Sequence, residues 1–478
     1  MEVKTRDFKK GALAAIRNPQ IQTNLERLYS HFHLAREEAI KGIEDWDELR
    51  NRARAIKQHT VDNLDYYLEM MERNVVARGG KVYFAKDAQA ANDYVLAIAR
   101  SHNVKLVTKS KSMVSEEMGI NHALAKAGIE SVETDLGEYI IQIAGETPFH
   151  IVAPAIHKSK EEVADLFVEK AKTPRYETIP ELTEAARQLL REKFIKADMG
   201  ISGANFMVAE TGTVTIVTNE GNGRMCTSMP RIHIAITGME KIVPSMEDLG
   251  LFLKLLVRSA TGQALTSYTT FVTGPRRQDD EDGPEEFHLV ILDNGRYRLL
   301  QAPQLREALY CIRCGACLNA CPVYSKVGGH AYGWVYPGPI GKVVTPMLTG
   351  LGNAGDLPFA STLCGACREV CPLKIDLPGM LLRLRNELRE GPTYISEKRP
   401  ARAEGIFMRV WHLSMRSPLM YGLATGAARI AQWPIKRKGS LRWMPPPFSG
   451  WTRYRDFPAI ASKPFRARWK ARHTNGRG

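Results

Sequence analysis

The chain has 478 residues, 44% hydrophobic and 25% charged, the balance of a globular protein with material for about two to four domains. No apolar run approaches the ~20 residues that a membrane-spanning helix needs, and Met1 to Asp7 offers no apolar core for a secretory signal, so a transmembrane or exported protein is not expected. The formal net charge of +14 is uneven: from Pro434 to Gly478 twelve Lys/Arg face the single acid Asp456.

Residues 1–70 are expected to be helical. Leu25, Leu28, Tyr29 and Phe32 recur at helical spacing, and Asp62, Leu64, Tyr67 and Met70 continue it. No chemistry is visible on this amphipathic face. From residue 71 the pattern alternates. Lys81–Ala85, Lys105–Thr108 and Ile129–Glu133 read as short strands, Asp87–Ser101 and Ser112–Ala127 as helices, the second opened by a serine cap. This alternation predicts an α/β domain with a largely parallel sheet.

After a helical insert at 159–195, strands are expected within Phe206–Thr213, at Val214–Thr218, at His233–Thr237 and at Phe287–Leu292, with a helix at 245–260. Asp293-Asn294-Gly295 reads as a hairpin turn. The α/β domain thus spans 71–298. At its centre, Ala209-Glu-Thr-Gly-Thr213 and Glu220-Gly-Asn-Gly-Arg224 place polar side chains beside glycines that open the backbone to a ligand. Asn205, Glu210 and Arg224 are the candidate ligand-binding residues, Arg224 as the partner of a carboxylate or phosphate. The structural alternative gives Gly212 and Gly221 to turns and Glu210 to an internal salt bridge. Cys226 reads as a buried thiol. His150, His157 and His233 have no partner at metal-ligand spacing. No Walker or G-x-G-x-x-G motif follows a strand, so neither flavin nor nicotinamide is expected.

The chemistry is concentrated in 299–392. Cys311, Cys314, Cys317 and Cys321-Pro322 form C-x2-C-x2-C-x3-C-P, and Cys364, Cys367 and Cys371-Pro372 repeat it with Ser361 in the first position. This is the iron–sulfur run of bacterial ferredoxins, in which the fourth cysteine of each run ligates the other cluster. Cross-ligation assigns Cys311, Cys314, Cys317 and Cys371 to cluster 1, and Cys321, Cys364 and Cys367 to cluster 2. Cluster 2 is one thiolate short. A [3Fe–4S] cluster, a [4Fe–4S] cluster with a non-cysteine ligand, and a ligand from elsewhere all remain open; the last corner could fall to Ser361, water, Cys226 or a partner. Disulfides would need an oxidising compartment, and zinc favours paired C-x2-C motifs. Arg306–Tyr310 is expected to end a helix, Thr345–Gly350 to form a helical turn and Ile375–Leu388 a helix, so the long spacer points to a helical ferredoxin module. In the 393–478 region Trp433, Trp443, Trp451 and Trp469 interleave with basic residues and with Pro445 to Pro447. Such a tail reads first as a solvated segment draped over its own protein, next as a docking surface for an anionic membrane or an acidic partner, and last as a nucleic-acid binder.

This order of motifs resembles the lactate-utilisation protein B family, iron–sulfur proteins of bacterial L-lactate oxidation. The resemblance implies a lactate-utilisation domain related to the ribose-phosphate isomerase/CoA-transferase fold, joined to a helical ferredoxin domain with two iron–sulfur clusters held by the seven cysteines between 311 and 371. It implies an electron-transfer subunit of a system that converts L-lactate to pyruvate, working with a cysteine-rich protein and a second lactate-utilisation-domain protein. The cysteine usage and the absence of a signal segment point to the cytoplasm, and the basic tail to peripheral docking at the inner membrane face. The alternatives are a chain that binds the 2-hydroxy acid and is itself catalytic, and, ranked below it, a redox-sensing nucleic-acid binder that uses the basic tail.

Overall fold

The computed structural model describes residues 3–390 and 402–474, apart from Pro447 and Tyr454. The chain divides into two compact units, 1–398 and 399–478. The expected boundary at 392/393 lies outside the described residues. The segments 1–70, 71–298 and the described part of 299–392 all belong to the first unit.

Ten strands run through that unit: β1 (Lys81–Ala85), β2 (Leu106–Lys109), β3 (Glu130–Glu133), β4 (Met199–Ser202), β5 (Phe206–Val208), β6 (Thr213–Thr218), β7 (Ile232–Gly238), β8 (Ile242–Val243), β9 (Tyr268–Val272) and β10 (Glu286–Leu292). Six make one sheet in the order β1-β10-β7-β4-β2-β3, with every pairing parallel. The inner strands β4 and β7 are buried along their whole length, as a parallel sheet covered on both faces requires. The other four make a second, mixed sheet, β8-β5-β6-β9, which the sequence pattern did not separate from the first.

Two local expectations are corrected. Asp293–Gly295 is not a hairpin turn: β10 lies between β1 and β7, parallel to both, so the chain cannot fold straight back. Asn294 and Gly295 take positive φ and turn β10 into the helix Arg296–Leu300. The helix expected over Ser112–Ala127 breaks at Gly119, whose φ of 69° ends Met113–Met118 before Ile120–Lys126 begins; its Ser112 cap is present. The turn between β5 and β6 shows why Gly212 is needed. Its φ is +67°, and a Cβ there would fall 2.7 Å from the Asn74 carbonyl carbon.

Four helices, Phe8–Arg17, Pro19–Lys41, Trp46–Asp62 and Leu64–Ala77, form the N-terminal segment. Leu25, Leu28, Leu49 and Ala53 pack in one core with Phe252 and Leu255 of the α/β domain and with Leu305, Leu309 and Leu318 of the cysteine region. In that region a 3-10 turn, Arg306–Tyr310, precedes the first cysteine run. The spacer carries a full helix, Gly338–Thr349, where only a turn was expected at its end, and Leu377–Glu390 follows the second run.

A buried ionic chain ties the sheet to the cysteine region. Arg296 donates two hydrogen bonds to the Glu117 carboxylate (2.9 and 2.8 Å) and one to Glu240 (2.6 Å). Glu240 also lies 3.5 Å from Arg313, whose guanidinium sits 4.5 Å over the Tyr336 ring. Burial pushes the Glu240 carboxyl up, but Arg296 and Arg313 overcome it and hold it down at about 2.

The second unit pairs the helices Arg402–Met415 and Pro418–Ala431, followed by a small antiparallel sheet of Lys436–Arg437, Ser440–Leu441 and Phe457–Pro458 and the helix Phe465–Thr474. Trp433, Trp443, Trp451 and Trp469 are exposed. No helix among the described residues is long and apolar enough to cross a membrane.

Replacing Arg296 with Met removes the ion pair of the buried Glu117 and leaves Glu240 with Arg313 at 3.5 Å as its remaining ion pair among the described residues. Urea denaturation at neutral pH should then show a loss of about 3–5 kcal/mol. Because Glu240 titrates lower when folded than when unfolded, its contribution is complete above about pH 5 and disappears as pH falls toward 2. The gap between wild type and R296M should therefore narrow in acid; a gap independent of pH would refute the ionic chain.

Candidate metal centre

The two cysteine runs are the same backbone device, offset by fifty residues. In the first, Arg313 takes φ +61° and Gly315 φ +81°, and a short helix starts at Ala316. In the second, Leu363 takes φ +56° and Gly365 φ +86°, and a short helix starts at Ala366. The Arg313 N–H donates to the Cys311 sulfur at 3.4 Å; the Leu363 N–H donates to the Ser361 hydroxyl oxygen at 3.1 Å. Ser361 thus occupies, in its own loop, the place that Cys311 holds in the other.

Folding brings cysteines of different runs together. Cys311, Cys314, Cys317 and Cys371 line one narrow cavity walled by Ile151, Ile340 and Leu377. Cys367 lies in the electrostatic field of Cys321 and Cys364. Burial pushes the thiols of Cys314 and Cys367 up to about 12 and that of Cys371 up to about 11. Such thiols keep their protons at neutral pH until a metal binds among them and displaces the protons to solvent. Cys364 differs: it is exposed, and hydrogen bonds from Thr362 and the Ala366 N–H lower its pKa. All eight cysteines are free. A sulfur-only, mostly buried donor set with backbone N–H groups on its sulfurs fits a thiolate-bound iron–sulfur group.

Cations surround these loops, and the N-terminal helices supply most of them. Arg36 donates to the Val370 carbonyl at 3.0 Å. Arg50 donates to the carbonyls of Cys371 and Glu369, both at 2.8 Å. Arg54 holds the Lys374 carbonyl at 2.9 Å and pairs with Glu307. From the spacer helix, the buried Lys342 ammonium lies 3.7 Å from the Cys321 sulfur. Sequence reading missed these roles. The signal available was cations where an apolar stripe belongs: Arg50, Arg54 and Lys57 at helical spacing alongside Leu49, Ala53 and Val61.

A second, larger cavity of about 330 Å³ adjoins the first cysteine loop. It opens at the carboxyl ends of β2, β4 and β7, where α/β sheets hold ligands. Ser110, Lys111 and Ser112 follow β2, Asn205 follows β4, and Glu240 and Lys241 follow β7; Arg313, Cys314 and Tyr336 close the far wall. Of the three residues expected from sequence, only Asn205 lies here. Glu210 sits at the β5–β6 turn, where it accepts from the Met246 N–H at the start of the helix Met246–Thr261. Arg224 is exposed on the helix Asn222–Ser228 and does not line the cavity. The glycine-rich segment misled because Gly212 serves backbone packing, whereas Glu220 and Asn222, not Arg224, face the cavity.

Cys226 is buried in the α/β core with Leu106, Val132 and Leu190, hydrogen-bonded to Thr134, which removes it as a source of the missing ligand. His150 and His233 are buried, and burial pushes both down to about 3. They bond Asn319 and Ser202 respectively. His157 does have a partner that spacing could not reveal: His330 and Glu146 place ligand-type atoms within 4.8 Å of it and of each other. Lys158 already pairs with that Glu146 carboxylate.

Comparison with known proteins settles the family. A LUD domain matches residues 68–292, a 4Fe-4S dicluster domain 307–375, and the C-terminal region of lactate utilisation protein B 383–474. The chain is 47% identical to lactate utilization protein B of Shouchella clausii over 92% of this chain and 91% of that protein. It is 44% identical to that of Bacillus velezensis over 99% and 98%, and 44% identical to that of Bacillus subtilis over 100% and 98%. The chain belongs to the lactate utilization protein B family. A DUF162 family protein from Deinococcus radiodurans matches 48% of this chain at 13% identity, but a TM-score of 0.28 is too low to relate the folds.

The 4Fe-4S dicluster domain makes iron retention the measure of the cationic clamp. Arg50→Met removes the donors that hold the Cys371 loop, and should speed iron loss to a chelator several-fold. Cys226→Ala should leave iron content unchanged, since that sulfur lies in another core.

Proposed function

We propose that this chain is the electron-transfer component of an L-lactate-oxidising system and holds two [4Fe–4S] clusters. Cys311, Cys314, Cys317 and Cys371 hold the first. Cys321, Cys364 and Cys367 hold the second, with Ser361 or a water at its fourth corner. The observation that carries this reading is the fifty-residue repeat: Ser361 presents its oxygen in the loop position where Cys311 presents sulfur. The α/β domain is of the ribose-phosphate isomerase/CoA-transferase type in this reading.

Bound clusters supply one-electron storage at potentials set by burial, ligand and hydrogen bonds to sulfur. The chain's own residues give the two sites different roles. Cys314 and Cys371 are buried, whereas Cys364 is exposed. The first site therefore faces the interior cavity and the second faces partners, so electrons travel from the cavity side toward the surface. The partners are a cysteine-rich protein and a second lactate-utilisation-domain protein, in the cytoplasm, where free thiols persist. The basic, tryptophan-bearing second unit favours the inner membrane surface as a docking place.

The test is anaerobic purification, iron counting and EPR. Cys314→Ser should lower iron and bleach visible absorbance; unchanged iron stoichiometry refutes its assignment. Ser361→Cys should change the EPR signal of the second cluster only. Lactate added with the two partners should reduce the clusters, and clusters that stay oxidised would sink the electron-transfer role.

A further inference from the structure

The 330 Å³ cavity has a feature that iron–sulfur binding does not account for. Two buried cations line it without adequate partners. Arg313 is 10% exposed at its side chain, and its Nη1 makes no hydrogen bond among the described residues. Lys241 is 7% exposed, and its ammonium makes no hydrogen bond or ion pair among the described residues. Both lie in the field of one carboxylate, Glu240, which is already committed to Arg296 at 2.6 Å. Unpaired buried cations cost several kcal/mol each, so an anion belongs beside them.

Part of that anion is the thiolate set next door, since Arg313 lines the cysteine cavity too. Lys241 lines only the larger cavity, and the Cys311 sulfur acts on it less than Glu240 does. The rest of the polar lining is mixed: Lys111, Asp135 and Glu220 are charged groups, and Asn205, Ser110, Ser112 and Thr218 are neutral. The Asn205 carbonyl oxygen accepts from the Val217 N–H at 2.9 Å, which leaves its Nδ2 as a donor. Ser110, Ser112 and Thr218 add hydroxyls. Val257 and Ala260 of the helix Met246–Thr261 give an apolar wall. Cationic donors at one end, hydroxyl and amide partners beside them and an apolar patch opposite match a short acid that carries an oxygen next to its carboxylate.

We propose that this cavity binds a small 2-hydroxy or 2-oxo carboxylate, its carboxylate on Arg313 and Lys241 and its second oxygen toward Asn205, beside Cys314. The proposal rests on the lactate-oxidation reading for the choice of acid, but the site stands on geometry. It places the acid next to the first cluster's cysteines and gives Lys241 the role of a binding residue.

The full-length, iron-loaded protein is titrated anaerobically by calorimetry with L-lactate, with pyruvate and with inorganic phosphate, and the same samples are read by EPR after reduction. L-lactate or pyruvate should bind saturably and perturb the signal of one cluster. Lys241→Gln should weaken that binding about tenfold or more with iron content unchanged. Ala260→Leu, which fills the apolar wall without touching a charge, should abolish it. Absence of saturable binding up to about 10 mM, or binding that neither variant alters, overturns the proposal. Phosphate binding as tightly at the same site overturns the carboxylate assignment. Loss of iron with acid binding retained would instead sink the electron-transfer reading and leave the cavity's role intact, because its donors are protein groups.

Discussion

The structure is organised by one electrostatic requirement: thiolates gathered in the interior need cations around them. Arg36, Arg50, Arg313 and Lys342 are buried or nearly so beside the cysteine loops, and each would be expensive there alone. Their positive charge lowers the cost of holding sulfur as thiolate, and thiolates in turn lower the cost of burying the cations. Neither set is stable without the other, so metal loading and packing of this region are coupled.

That requirement explains why the N-terminal helices belong to the same unit as the cysteine region. Their apolar residues join its core, and their arginines hold carbonyls of the second cysteine run. The α/β domain is fastened from the other side through Glu117, Arg296, Glu240 and Arg313. Arg313 ends that chain and, through its backbone N–H, also supports the Cys311 sulfur. A change of charge among the cysteines is thus felt at Glu240 and at the mouth of the sheet. Small glycines keep this layout tight: at Gly329 a Cβ would sit 1.6 Å from the Phe149 carbonyl oxygen.

The two cysteine runs, built on one repeated backbone, differ at one position, Cys311 against Ser361, and in the exposure of Cys364. Cys311 and Ser361 offer sulfur and oxygen from equivalent loops. The second site also has the exposed Cys364. Similar loops with unlike donor atoms and unlike solvent access give their surroundings different electrostatics.

The sequence by itself determined the local chemistry. Ligand spacing is a property of the chain, so Cys311 to Cys371 declared an iron–sulfur module, with Ser361 standing where the repeat would have a cysteine. Strand and helix patterns in 81–133, and the Ser112 cap, were legible because they depend on neighbours a few residues away. Tertiary structure decided everything that joins distant segments. Periodicity could not tell that β10 lies between β1 and β7, because parallel neighbours share no turn. Polar residues near glycines drew Glu210 and Arg224 into the candidate site. The cavity instead took Lys241 and Arg313, which are 72 residues apart and meet only because the sheet's carboxyl edge is closed by the cysteine loop. A cation's burial and its missing partner are properties of the packed molecule, and no spacing in the chain encodes them.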